Sequence, residues 1–197
     1  MTVLQIPGVP AVHDKTVYVS FNAEINVNTT ESLLATLANL ASQGVAEVHL
    51  LISTPGGEVM HGISLYNMLR AFPFKLVTHN TSSVNSIGNA VFLAGEERYA
   101  SPNSTFMFHG VQVGFQTASR LDAKQLRENL GTIDADQLRI AAIIEERSQL
   151  TEPQVRAFFG EAHTMHAAEA VGAGIIDEVR DVKIPPGSPV AALVFQR

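Results

Sequence analysis

The sequence predicts an α/β domain in which parallel strands are joined by crossover helices. Three observations carry that expectation. Short runs rich in β-branched and aromatic residues alternate with stretches whose apolar residues recur at helical spacing. Segments bearing Gly, Pro or Asn separate them, and the repeated β-then-α order implies right-handed βαβ units. The chain of 197 residues is 46% hydrophobic, enough for one core without staples.

Residues 1–16 form a short lead-in containing Pro and Gly, and Val17 to Phe21 is the first strand. Asn28-Thr29-Thr30-Glu31 opens a helix with Asn28 as the expected cap and Leu33, Leu34, Leu37, Leu40 and Ala41 as its apolar stripe. Glu47 to Ser53 is the second strand. Thr54-Pro55-Gly56-Gly57 ends it, and Glu58 to Phe72 is helical with Ile63, Tyr66, Leu69 and Phe72 on one side. Lys75 to Asn80 is a third strand, Ser86 to Ala94 a short buried helix, and Ser104 to His109 another strand. From Leu121 to Leu150 one helical face carries Leu126, Leu130, Ile133, Ile140 and Ile144, interrupted at Gly131-Thr132. A helix that long is expected to project from the body. Glu152 to Phe159 is a short helix, and Ala167 to Asp177 a helix ended by Gly174 that runs into a strand at Ile175 to Val179.

Composition excludes several classes of function. Without cysteine there is no disulfide framework, thiolate metal site or cysteine nucleophile. Charged residues are 16%, against about 25% in ordinary chains, so some faces are expected to be buried against sister subunits. The net charge is −6 and the four lysines are scattered, which offers nucleic acid no basic track. The first residues lack a signal-peptide pattern, and no run approaches the about 20 apolar residues of a membrane span. A cytoplasmic protein without membrane contact is expected.

Three places can carry chemistry. Gly56-Gly57 follows a strand and precedes a helix, where backbone N–H groups can approach a ligand; a plain tight turn is the alternative. It is no phosphate loop, since Glu58-Val59-Met60 stands where Lys-Ser/Thr would follow. Ser86 lies between a strand and an apolar helix, as a nucleophile beside helix-start N–H donors or simply as a cap. His109 ends a strand, where parallel sheets collect function. The other histidines read as bland: His13 and His61 on the surface, His49 and His79 as satisfied groups in strands. His163 and His166 share a helical face by spacing, but no carboxylate pattern completes a metal site. No metal or cofactor is expected.

These residues also carry a family resemblance. Leu51-Ile52-Ser53-Thr54-Pro55-Gly56-Gly57 is similar to the "INSPGG" loop of the Clp protease proteolytic subunit, ClpP. Asn85-Ser86-Ile87-Gly88 resembles "ASMG", and Tyr99-Ala100-Ser101-Pro102-Asn103-Ser104 with Met107-Phe108-His109 resembles "ALPNSRVMIH". Met165-His166-Ala167-Ala168-Glu169-Ala170-Val171 and Gly174-Ile175-Ile176-Asp177 match "MSAEEAVEYGLID". The resemblance runs in order from about Val17 to Val179.

It implies a single ClpP/crotonase-like domain over residues 1–197, with a head of about 17–110 and 160–181 and a handle of about 111–150. It further implies a serine peptidase acting on peptides or unfolded protein within homo-oligomeric stacked rings. Ser86 matches the nucleophile, His109 the general base, and Gly57 and Ile87 the donors of the oxyanion hole. The match departs at the triad aspartate, which falls on Ala162; Glu161 and His163 are the neighbouring candidates for a third member. The residues before the first strand do not resemble the family's axial loop, so an AAA+ unfoldase partner is not implied. His109-Gly110-Val111 also lacks the family's proline, so specificity does not transfer. A catalytically weak or silent structural or regulatory subunit is the alternative implied by Ala162. A crotonase-type acyl-CoA enzyme would share the spiral and the two-N–H hole, but this chain lacks suitably placed carboxylates.

Overall fold

The computed structural model describes residues 16–114 and 120–195. The lead-in, His13 and part of the expected handle therefore lie outside the described residues. The chain runs β1 (Thr16–Asn22), α1 (Val27–Ser42), β2 (Glu47–Thr54), α2 (Val59–Ala71), β3 (Lys75–Asn85), α3 (Gly88–Phe92), β4 (Glu97–Ala100) and β5 (Thr105–Phe108). There follow α4 (Ala123–Arg147), α5 (Glu152–Glu161), β6 (His163–His166), α6 (Ala167–Gly172), β7 (Glu178–Val179) and β8 (Val190–Ala192).

The strands form one mixed sheet of order β6-β5-β3-β2-β1-β8, with β4 on β3 and β7 on β4. Every pairing is parallel except β5 with β6. β3 divides its partners: Val77–Asn80 pair with β4, whereas Ser83–Asn85 pair with β5. That branching turns a flat succession of βαβ units into a spiral. Alternation is clean in β2, where Val48, Leu50, Ile52 and Thr54 are buried and the residues between are half-exposed. The buried set meets Leu33, Leu37 and Leu40 of α1 and Leu65 and Leu69 of α2 in one core.

Local chemistry moves some boundaries. α1 is capped by Asn26 and not by Asn28: the Asn26 side chain accepts from Thr29 N (3.1 Å), while Thr29 Oγ1 accepts from Asn26 N (3.0 Å). This reciprocal box satisfies two backbone donors at once, which a cap at Asn28 would not. α2 buries Gly62, Leu65, Tyr66 and Leu69, one residue round from part of the expected stripe. Three short strands, β4, β6 and β8, add to those the sequence predicts. His163 and His166 consequently lie at the two ends of a strand, where residues three apart face opposite sides.

α4 begins at Asp122, whose carboxylate accepts from Lys124 N and Gln125 N, and Gly131 does not break it. Its last turns bury Ile140, Ala141, Ile143 and Ile144, while Leu126, Leu130 and Leu138 are exposed. Arg147 ties that end to the body: Nε and Nη2 donate to the carbonyls of Leu93 and Gly95. Among the described residues no helix is long and apolar enough to cross a membrane.

Candidate active site

The site is assembled where β2, β3 and β5 end. At the end of β2 the buried Thr54 hydroxyl accepts from Gly56 N (3.0 Å) and curls the chain. Gly56 and Gly57 then adopt φ +96° and +146°, which favour glycine. The loop is stitched to the segment after β1: Ile25 N donates to Gly56 O (2.7 Å), and Glu58 N donates to Ile25 O (2.8 Å). A Cβ on Gly57 would lie 2.1 Å from Ile25 O, so no other residue fits this approach. The Gly57 N–H itself has no partner among the described residues.

Ser86 follows β3 with φ +57°, one of two non-glycine residues among those described with positive φ. A serine held there carries strain of roughly 1 kcal/mol or more, which the surroundings must impose. They do so with three hydrogen bonds. Ser86 N donates to Met107 O (2.7 Å), and the side-chain amide of Asn89 donates to Ser86 O (3.0 Å) and Met107 O (2.8 Å). Asn89 is 1% exposed. It was missed from sequence, although a polar residue inside the apolar run Ile87–Ala94 was a signal that could have found it. Gly56 lies so close that a Cβ there would be 2.7 Å from Ser86 Cβ. Gly62 likewise clears room for Ile87, whose Cγ1 would meet a Cβ at 2.2 Å. Ile87 N, like Gly57 N, is without a partner among the described residues. Two backbone donors thus flank the serine.

His109 is brought to the same end by the pairing of β3 with β5. Asn85 stands level with Met107, so Ser86 and His109 leave neighbouring strands at adjacent heights. Ser86 Oγ makes no hydrogen bond to another described residue. The imidazole Nδ1 lies 2.7 Å from Gly110 O. A carbonyl only accepts, so Nδ1 carries the proton and Nε2 is the basic nitrogen. Gly110 is itself held, its N–H donating to Phe159 O (2.9 Å) at the end of α5.

Neither neighbouring candidate for a third member bonds to His109. His163 Nε2 faces Glu169 (3.2 Å) and its ring stacks on Phe158 at 4.1 Å. Glu161 is exposed. Ala162 ends α5 in the left-handed conformation, φ 55° and ψ 66°. The β5–β6 ladder ends at the Phe108–His163 pair, so His109 and Ala162 each adjoin its last rung. Beside this end, α4 and α5 enclose a cavity of about 520 Å³ lined by Gln137, Leu138, Phe159 and Gly160 among others.

A model of the family described as Clp protease matches residues 11–183. Over 162 residues the chain is 26% identical to ATP-dependent Clp protease proteolytic subunit 1 of Leifsonia xyli subsp. xyli, covering 81% of this chain and 80% of that one. Over 171 residues it is 28% identical to the ATP-dependent Clp protease proteolytic subunit of Deinococcus radiodurans, covering 85% and 81%. Among solved structures, an Asn-to-Asp mutant of ClpP1 from Listeria monocytogenes superposes with a TM-score of 0.74 at 23% identity, over 84% of this chain and 92% of that one. At that identity the likeness concerns the fold.

Proposed function

The chain belongs to the Clp protease family, and from that premise we propose that it is a serine peptidase cutting peptides or unfolded protein within a cytoplasmic homo-oligomeric ring. Ser86 Oγ attacks the scissile carbonyl carbon as its proton passes to His109 Nε2. The carbonyl oxygen, now negative, is held by the N–H groups of Gly57 and Ile87. His109 returns the proton to the departing amine, and water releases the acyl group from Ser86 by the same route. The cavity between α4 and α5 would receive a substrate side chain, and residues of about 111–150 would act as the handle between stacked rings. An AAA+ unfoldase is not part of this proposal.

The observation that carries the reading is Ser86 itself, held at φ +57° beside two backbone donors that have no partner among the described residues. A serine serving only as a cap has no need of that conformation. The test is labelling by a fluorophosphonate together with peptide hydrolysis. Both should vanish in Ser86→Ala while the oligomer persists; undiminished hydrolysis in that variant would remove Ser86 from the mechanism.

One observation favours a second reading, a catalytically weak or silent subunit. The acceptor orienting His109 is the neutral Gly110 carbonyl, which stabilises an imidazolium less than a carboxylate does. Failure of the wild-type protein to react with fluorophosphonate would favour the silent subunit.

A further inference from the structure

Gly110 carries the carbonyl that orients His109, and glycine is the residue least able to hold a peptide group in place by itself. What fixes it is the bond from Gly110 N to Phe159 O (2.9 Å). Phe159 can supply that carbonyl because α5 ends two residues later, at Glu161. The last four carbonyls of a helix lack partners within it, and the left-handed Ala162, φ 55°, stops the helix from continuing. The direction of the imidazole therefore depends on where the last turn of α5 sits.

α5 is weakly seated. It has 10 residues, of which Val155 alone is buried, and a helix this short is marginal without tertiary contacts. Near its end Phe158 supplies a second anchor. It meets the buried Phe108 ring at 5.7 Å, and the His163 ring lies almost parallel to it, 4.1 Å away at 9°. Phe108 and His163 are partners across β5–β6, so their side chains project from the same face of the sheet and both bear on Phe158. The His163 ring is held in turn from its edge, with Nε2 3.2 Å from Glu169 Oε1. Phe108 directly precedes His109, and His163 directly follows Ala162. One aromatic cluster thus joins the strand that carries the imidazole to the helical turn that fixes its acceptor.

We propose that His163 and Phe158 are positioning residues for peptide hydrolysis: their stack seats the end of α5 so that Phe159 O restrains Gly110, and Gly110 O keeps the His109 proton on Nδ1. His163, one of the two neighbours of the missing acid, acts through its ring face and not through a nitrogen. The effect on hydrolysis rests on the peptidase reading, whereas the effect on the imidazole does not.

Two readouts keep these apart. In the full chain carrying ¹⁵N-labelled histidine, at neutral to slightly alkaline pH, the His109 Nδ1–H should give a hydrogen-bonded proton resonance, identified by its loss in His109→Gln. His163→Ala should broaden that resonance by exchange with water. His163→Phe, which keeps a flat ring on Phe158, should leave it as in the wild type. Peptide hydrolysis should follow the same order: kcat about 2–10-fold lower in His163→Ala with KM nearly unchanged, and restored in His163→Phe. Phe158→Leu keeps apolar bulk without the ring and should match His163→Ala; it also serves should His163→Ala fail to fold. An unchanged Nδ1–H resonance in His163→Ala and Phe158→Leu, or equal loss in His163→Phe, would overturn the proposal. A wild-type chain that shows the resonance and its loss in His163→Ala yet cuts no peptide would overturn the peptidase reading and leave the stack's hold on His109 supported.

Discussion

Ala162→Asp should raise kcat for hydrolysis of an unstructured peptide by about 2–30-fold. The present partner of His109 is a neutral carbonyl at 2.7 Å, and a neutral hydrogen bond contributes about 1 kcal/mol net, against roughly 1.5–3 kcal/mol for one to a charged group. The gain of roughly 0.5–2 kcal/mol appears where the imidazolium forms, and each 1.36 kcal/mol is about tenfold in rate. The ceiling, from triads that lose their acid outright, is on the order of 10⁴. The geometry admits the change. Residues 109 and 162 each adjoin the Phe108–His163 pair that ends the β5–β6 ladder, so their backbones leave it side by side. At φ 55° aspartate is among the residues that tolerate the left-handed region best, so the backbone is not penalised. Ala162→Asn shares that tolerance without the charge and should gain little. A carboxylate beside His109 also favours the imidazolium, so the acid limb of the kcat/KM profile should move to higher pH. If Ala162→Asp keeps the wild-type Tm yet its kcat stays within twofold, the carbonyl is not the weak element and the reasoning fails.

Asn89→Ala removes both side-chain bonds that hold Ser86 in its strained conformation; kcat should fall with KM nearly unchanged, and chemical denaturation should show a loss of roughly 1–3 kcal/mol. His79 should make the protein acid-labile: its pKa of about 4 in the fold lies below the unfolded value of 6.5, so the unfolded chain binds more protons between the two. Stability is then complete above pH 6.5 and declines as pH falls toward 4, by up to about 3 kcal/mol, a slope that His79→Phe should flatten in urea titrations across that range. Leu126, Leu130 and Leu138 stand exposed along α4. In analytical ultracentrifugation Leu126→Glu/Leu130→Glu should shift the protein toward smaller species, and a wild-type chain monomeric at micromolar concentration would contradict the ring.

Hydrophobic spacing and turn residues made most elements legible, since a helix stripe such as Leu33, Leu37 and Leu40 is written within a few turns of chain. The candidate site was legible in part for the same local reason: Gly56-Gly57, Ser86 and His109 each sit in a short motif at an element's end. What tertiary structure alone decided are relations between distant segments. The left-handed Ser86 exists because Met107, brought alongside by β3–β5 pairing, accepts its N–H and because Asn89 spans both carbonyls. The orienting partner of His109 is a main-chain carbonyl, which every residue possesses and no residue type announces. The buried His79 meets His49 of the neighbouring strand, and through it Glu47, only because β2 and β3 pair. Propensity and periodicity act over neighbouring residues, whereas the direction of a hydrogen bond is set by whatever folding places opposite it.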